Sequence, residues 1–182
     1  MDCLQRCVVS LQHCFWSSGL LLNPDKSSVM FFGTSARLRR SDLPKTVDIA
    51  MANLTVSEKL RILGVTLDGS LTMDGHVSET VKSCNYHLQA LRHLRQSVTR
   101  EVANSMACSI INTRLDYCNS LFRGVSEKNI SKLQRIRNRA ARIVCNVGRR
   151  ELSSKELLID LHWLPVRCRV EFKTAALCFK AY

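Results

Sequence analysis

The sequence lacks the residue patterns on which most independent enzymes depend. It contains no Asp-Asp or Asp-x-Asp pair, so paired carboxylates for two-metal chemistry are missing. The seven glycines are spread singly, which excludes a glycine-rich phosphate loop, and no Gly-x-Ser-x-Gly elbow occurs. The five histidines have no acid or nucleophile partner at motif spacing. We therefore predict no catalytic residue and no cofactor in this chain.

The nine cysteines are odd in number and scattered, and none forms a Cys-x-x-Cys pair. Two fragments combine cysteine with histidine: Cys3 and Cys7 with His13 and Cys14, and Cys84 with His87. Neither fragment has a second ligand pair at zinc spacing, so we predict no metal site. No signal peptide or long apolar run is visible. We expect a reducing intracellular compartment, without distinguishing cytoplasm from nucleus, and no membrane partner.

Acidic residues are nearly absent from one stretch of an otherwise ordinary composition. Between Arg123 and Arg150 there are nine Lys or Arg residues and one Glu, which gives +8 of the chain's net charge of +12. A solvated helix face would usually carry interspersed Asp and Glu. The concentration of cations instead favours a nucleic acid or another anionic partner.

This basic stretch has the periodicity of a helix from Ser126 to Arg150, with Ser126 as the predicted N-cap and Gly148 near the C-cap. One face is apolar: Ile130, Leu133, Ile136, Ala140, Ile143 and Val144. A second stripe is cationic: Lys128, Lys132, Arg135, Arg139 and Arg142. We predict that the first face is buried and that the second binds phosphates.

The first part of the chain predicts a helix followed by short strands. Residues 2–18 have helical periodicity, and the apolar runs at 28–32, 47–51, 54–56 and 60–67 are typical of strands. We interpret 34–45 as a loop and Ala52-Asn53 as a turn. The short connections favour one small antiparallel sheet, with the helix covering one face.

After Asp74 the apolar period changes to that of helices. We predict a helix of about 24 residues from Asp74, a second from Thr99 to about Phe122, and then the basic helix. Ser153 and Glu156 form a capping-box pattern, and a last helix follows Pro165 and still continues at Tyr182. The expected fold class is α+β, with residues 1–70 as one region and 71–182 as a helical bundle.

Several segments, taken in order, resemble the reverse transcriptases of non-LTR (LINE-type) retrotransposons, most closely a set of groups that includes the jockey-like ones. These segments are LLLNPDKS at 20–27, LRILGVTLD at 60–68, His76 ahead of a helix, RLDYCN at 114–119, LQRIRNRAAR at 133–142 and LHWLP at 161–165. They span nearly all of the chain. The resemblance implies that residues 1–70 correspond to the C-terminal part of a polymerase palm and residues 71–182 to the thumb.

The resemblance also implies roles for particular residues. Lys26 matches a lysine near the phosphates of the incoming nucleotide, and Leu63-Gly64 matches a hairpin that supports the primer terminus. The basic helix matches a thumb surface that packs against an RNA–DNA template–primer duplex, which agrees with its cationic stripe.

One departure from the family pattern decides the expected activity. The family's metal-binding Asp pair lies just before the helix in which this chain begins, and the fingers lie earlier still. Mg²⁺ is implied for the full-length family enzyme, but this chain lacks the carboxylates to hold it. We therefore expect a truncated fragment, separated from its N-terminal palm and fingers and inactive as a polymerase alone.

Two other interpretations remain open. The chain is alternatively a basic helical interaction module that binds nucleic acid or an acidic protein, or a translated remnant of an element without a selected function. No small-molecule substrate is expected under any of the three.

Overall fold

The computed structural model describes residues 2–40, 43–49, 52–148 and 151–181, and its fold class is α+β. By internal contacts the chain divides into two units, residues 1–72 and residues 73–182. The predicted strand residue Met51, the basic residues Arg149 and Arg150, and Tyr182 at the end of the last helix lie outside the described residues. The two units are described in turn.

Among its described residues the first unit contains two α-helices and four strands. They are α1 (Asp2–Ser17), α2 (Ser35–Leu38), β1 (Thr46–Ile49), β2 (Ala52–Thr55), β3 (Lys59–Ile62) and β4 (Val65–Asp68). The strands form two separate antiparallel pairs, with Val47 opposite Leu54 in the first and Leu60 opposite Leu67 in the second. The expected single sheet is therefore two hairpins, because the run 60–67 turns back and pairs with itself.

Local predictions in this unit were partly wrong. Residues 28–32 form no strand but only an isolated bridge, between Val29 and Val56. The predicted loop at 34–45 begins with α2, because the Thr34 hydroxyl accepts a hydrogen bond from Arg37 N at 3.4 Å and caps a helical turn. Ala52 and Asn53 belong to β2 rather than to a turn.

Helix α1 contacts β1, but it covers the β1–β2 pair only lightly. Among residues 3–17 of this helix no side chain is buried, and Trp16 keeps 74% of its surface exposed. The predicted apolar face places Val8 and Phe15 in half-buried positions and leaves Leu11 exposed. Val47 and Val65 are buried in this unit, but most of the buried apolar side chains among the described residues lie in the second unit.

The second unit is a bundle of six α-helices among its described residues. They are α3 (Asp74–Leu94), α4 (Arg100–Ala107), α5 (Thr113–Asp116), α6 (Glu127–Cys145), α7 (Ser154–Asp160) and α8 (Val166–Ala181). The Thr99 hydroxyl caps α4 as predicted. Ser153 and Glu156 form both hydrogen bonds of the predicted capping box at the start of α7.

The predicted continuous helix from Thr99 to Phe122 is interrupted. Residues 108–112 are π-helical, and the chain leaves the helix after Asp116. The buried apolar side chains of this segment are Ala103, Ala107, Ile111, Leu115 and Phe122. Small alanines occupy the first two of these positions, and Tyr117 is exposed.

Helices α3 and α6 make the most extensive contact of the bundle. Val77, Cys84, Leu88 and Leu91 of α3 are buried together with the α6 residues Leu133, Ile136, Ala140 and Val144. Burial of these apolar side chains stabilises the pair and fixes which face of each helix points outward. The apolar face predicted for α6 is confirmed at these four positions, and the buried residues of α3 likewise recur at helical spacing.

The two ends of α6 differ from the predicted caps. Ser126 occupies the N-cap position, but its side chain makes no capping hydrogen bond. The C-cap is Asn146, which adopts a left-handed conformation at φ 53°, rather than Gly148. Gly148 instead permits a close approach of another residue, because a Cβ added there would lie 2.6 Å from Oε1 of Glu151.

Candidate nucleic-acid interface

The predicted cationic stripe lies along the outer face of α6. Lys128, Arg135 and Arg139 are exposed, whereas Lys132 and Arg142 are half-buried. The apolar face of the same helix is packed against α3, so the stripe is directed away from the core.

A groove of about 950 Å³ runs between the C-terminal ends of α3 and α6. Five arginines line it: Arg92, Arg95, Arg135, Arg139 and Arg142. The remaining lining is polar or aliphatic: Gln96, Asn138, Ile143, Asn146, Val147, Gly148 and Ser154. No Asp or Glu is among these lining residues, and no aromatic side chain is either. The groove is therefore a concave surface with a concentrated positive charge.

Arg95 joins the two walls of this groove. Its Nε donates to the carbonyl oxygens of Ile143 at 3.1 Å and Val144 at 3.0 Å, and its Nη1 donates to Val98 O at 3.0 Å. The last carbonyls of a helix lack partners within the helix and carry partial negative charge. Arg95 satisfies them from α3 and so fixes the distance between the helix ends.

Arg139 and Arg142 are held by neutral partners. Arg139 Nη1 donates to Oδ1 of Asn85 at 2.9 Å. Arg142 Nη1 donates to Gly148 O at 3.0 Å, and its Nη2 donates to the Ser154 hydroxyl at 3.1 Å. These bonds orient the guanidinium groups without neutralising them, so both charges remain available to an anion.

Arg92 and Arg135 differ from the other three arginines. Within the described part of the chain neither guanidinium group has a hydrogen-bond or ion-pair partner. The ion pairs found among the described residues of this unit lie elsewhere: Arg100–Asp160, Arg167–Glu127 and Arg169–Asp116. The groove thus presents two unengaged guanidinium groups beside three that are fixed in place.

Lys128 and Lys132 do not line the groove. Lys132 Nζ donates to Oδ1 of the buried Asn129 at 3.2 Å, and Asn129 Nδ2 donates to Asp74 at 2.6 Å. Both lysines lie toward the N-terminal end of α6. The structure therefore brings together three of the five predicted stripe residues and leaves these two farther along the helix.

The long-range electrostatics favour the same surface. Residues 73–182 contain 19 of the 27 Lys and Arg residues and 9 of the 15 Asp and Glu residues, so they carry +10 of the net charge of +12. One acidic side chain lies close to the groove lining: the carboxylate of Glu151 approaches Gly148. A cleft of one charge sign with apolar walls focuses the field and attracts anions.

One basic residue of α6 is not available to a ligand. Arg137, which the charge count of the sequence included, is only 1% exposed. Burial, and then the positive charge of Arg169, lower the pKa of Arg137 to about 10, while Asp116 acts in the opposite sense. The cationic surface of α6 is smaller than its composition indicates.

The three predicted site residues of the first unit lie on two turns. Lys26 is exposed at the end of a 3₁₀ helix (Pro24–Lys26), which Asn23 caps by accepting from Asp25 N at 2.9 Å. Leu63 and Gly64 form the two-residue turn between β3 and β4, with φ of 47° and 81°. Positive φ at both positions is typical of a type I′ hairpin turn, and it places the Leu63 side chain in solvent, 86% exposed.

The sequence interpretation missed Arg92 and Arg95. Arg92 lies in the last turn of α3 and Arg95 directly follows the helix, and a signal for them was present. From Lys82 to Gln96 the helix contains no Asp or Glu, the same pattern that singled out α6.

Comparisons with known proteins identify no relative: no family model, no curated protein and no solved structure matches this chain. Among the described residues, no helix is long and apolar enough to cross a membrane. No group of three or more His, Cys, Asp or Glu side chains suited to a metal ion occurs in the same part of the chain.

Proposed function

We propose that this chain binds a nucleic-acid duplex through its phosphate backbone, in the groove between α3 and α6. The observation that carries the proposal is the lining itself, in which five arginines occur without a single carboxylate. Phosphate oxygens are strong acceptors for guanidinium groups, and binding to a phosphate backbone derives much of its affinity from such contacts.

The lining also bears on the form of the nucleic acid. Single strands are usually held by aromatic side chains on which bases stack, and the groove lining contains no aromatic residue. A duplex presents its phosphates outward and needs no stacking surface. We therefore assign a duplex, read with little dependence on its base sequence.

The resemblance to LINE-type reverse transcriptases supports the same assignment. It implies a thumb that contacts a template–primer duplex, and the groove lies in the region that the resemblance assigns to the thumb. We propose that the chain corresponds to the template–primer-holding part of such an enzyme and holds a duplex without extending it. Leu63 and Gly64 keep their proposed role beside the primer under this proposal, whereas Lys26 has no incoming nucleotide to contact in a chain that does not extend a primer.

A competition experiment tests the binding. Fluorescence anisotropy would follow the purified chain on a labelled RNA–DNA hybrid, with unlabelled hybrid, a single strand of the same length, and polyglutamate of equal charge as competitors. We expect the hybrid to compete best. Equal competition by polyglutamate would overturn the proposal and favour the acidic-protein module.

Primer extension tests the absence of polymerisation. The purified chain would be incubated with Mg²⁺, deoxynucleotides and a primed RNA template. We expect incorporation at the level of a protein-free blank, because the sequence offers no carboxylate pair to hold two metal ions. Incorporation above that blank would contradict the holding role.

A further inference from the structure

Helix α6 buries a charged residue in the middle of its packed face. Arg137 lies roughly 160° around the helix axis from both Arg135 and Arg139, since successive residues of an α-helix are separated by about 100°. It is buried among apolar neighbours on the same face, including Leu133 and Val144. The inner and outer faces of α6 therefore both carry arginine, and only the inner one is sealed from solvent.

Two directional contacts hold Arg137. Its guanidinium carbon lies 5.5 Å from the centroid of the Trp163 ring, within the range of a cation–π interaction. Its Nη1 donates to Oδ1 of Asn112 at 3.4 Å, and Asn112 is the last residue of the π-helical segment. Nearby, Arg169 Nε donates to Asp116 Oδ1 at 2.6 Å. Arg137 therefore contacts the π-helical segment and the turn before α8, and neither contacting residue lines the groove.

Stability alone does not account for a charge at this position. Removing a guanidinium from water is costly, and the Nε of Arg137 has no hydrogen-bond partner among the described residues. A methionine of similar length would fill the site without that cost. A guanidinium, unlike an apolar chain, has a plane and fixed donor directions, so it resists rotation of the helix that bears it.

We propose that Arg137 is a positioning residue that fixes the rotation of α6 about its own axis. Its contacts with Trp163 and Asn112 hold the outer face in the position from which Arg135 and Arg139 line the groove. The effect of Arg137 on nucleic-acid binding rests on the proposed function. The orientation of α6 itself can be measured without a ligand.

The main experiment uses the full chain with Trp16→Phe, which leaves Trp163 as the only tryptophan. Arg137→Met and Arg137→Lys would be compared in this background by thermal unfolding, acrylamide quenching of Trp163, amide exchange of α6 and binding of an RNA–DNA hybrid. We expect Arg137→Met to keep the wild-type melting temperature or exceed it. We also expect faster exchange in α6 and easier quenching of Trp163.

The binding readout separates positioning from packing. Displacement of one groove arginine should weaken binding about fivefold at 0.15 M salt and reduce the salt slope by about 0.9. Arg137→Lys, which keeps the charge over Trp163, should restore part of the loss. A folded Arg137→Met chain with wild-type affinity and slope would overturn the proposal.

A second variant covers the case in which Arg137→Met does not fold. Asn112→Ala removes the hydrogen-bond acceptor and leaves Arg137 in place. We expect it to reduce the salt slope of hybrid binding, but by less than Arg137→Met does. Unchanged slope and unchanged α6 exchange in Asn112→Ala would then overturn the proposal. If the unmodified chain does not bind the hybrid, the proposed function fails, and the α6 exchange rates still decide the role of Arg137.

Discussion

The salt dependence of binding is the property most directly fixed by the groove. We would replace Arg92, Arg135 and Arg139 with Gln in one chain. Arg92 and Arg135 have no partner in the described part of the chain, and Arg139 bonds only an asparagine. Arg95 and Arg142 are left unchanged because they hold backbone carbonyls, and their loss would disturb the groove itself.

The magnitude follows from the number of phosphates neutralised. Five contacts predict a slope of log K against log salt of about −4.5, and removal of three leaves about −1.8. Raising the salt from roughly 50 to roughly 200 mM should then weaken the wild type about 500-fold and the triple variant only about 12-fold. The difference is large enough that errors of twofold in affinity do not obscure it.

Fluorescence anisotropy on a duplex, repeated at four or five salt concentrations, measures this slope. The matched control replaces Lys82, Lys173 and Lys180 with Gln, because these lysines are exposed, lie outside the groove lining and change the net charge by the same amount. The control should keep the wild-type slope. Equal slopes for the two triple variants would show that net charge, and not the groove, determines binding.

Three further predictions concern single residues. Glu151→Gln removes the carboxylate beside Gly148 and should tighten duplex binding by about twofold to fivefold, measured at low salt where screening is weakest. Ser153→Ala breaks the capping box with Glu156 and should lower the free energy of unfolding by about 1 kcal/mol in urea titrations, with Lys155→Ala as the control. Burial raises the pKa of the Cys84 thiol to about 11 from 9.0, so its alkylation by iodoacetamide at pH 8 should be at least about 100-fold slower than that of an exposed cysteine. A similar rate would mean that α3 and α6 separate readily.

Periodicity predicted the bundle better than it predicted the sheet. The apolar seams of α3 and α6 are long and regular, and burial follows them at Val77, Leu88, Leu133 and Val144. In the first unit the strands have four residues each, too short for alternation to show where one ends. The turn at Leu63 therefore divided a run that the sequence pattern presented as continuous.

The groove was predicted from one wall only. The stripe on α6 identified Arg135, Arg139 and Arg142, but a pattern along one helix contains no information about which neighbour completes a cleft. Arg92 and Arg95 become part of the same surface only through the packing of α3 on α6. The burial of Arg137 was equally invisible, because its partner Trp163 is 26 residues away in the chain.

The bond between Arg95 and the last carbonyls of α6 has a kinetic consequence. Because the protein itself sets the separation of the two helix ends, a duplex bound as proposed would meet a groove of fixed width and would order little of the chain on arrival. Association should then be limited by diffusion and electrostatic steering, so that loss of Arg92 or Arg135 slows the on-rate. Replacement of Arg95 should act differently: the two helix ends would have to be brought together in each encounter, and complexes would dissociate sooner.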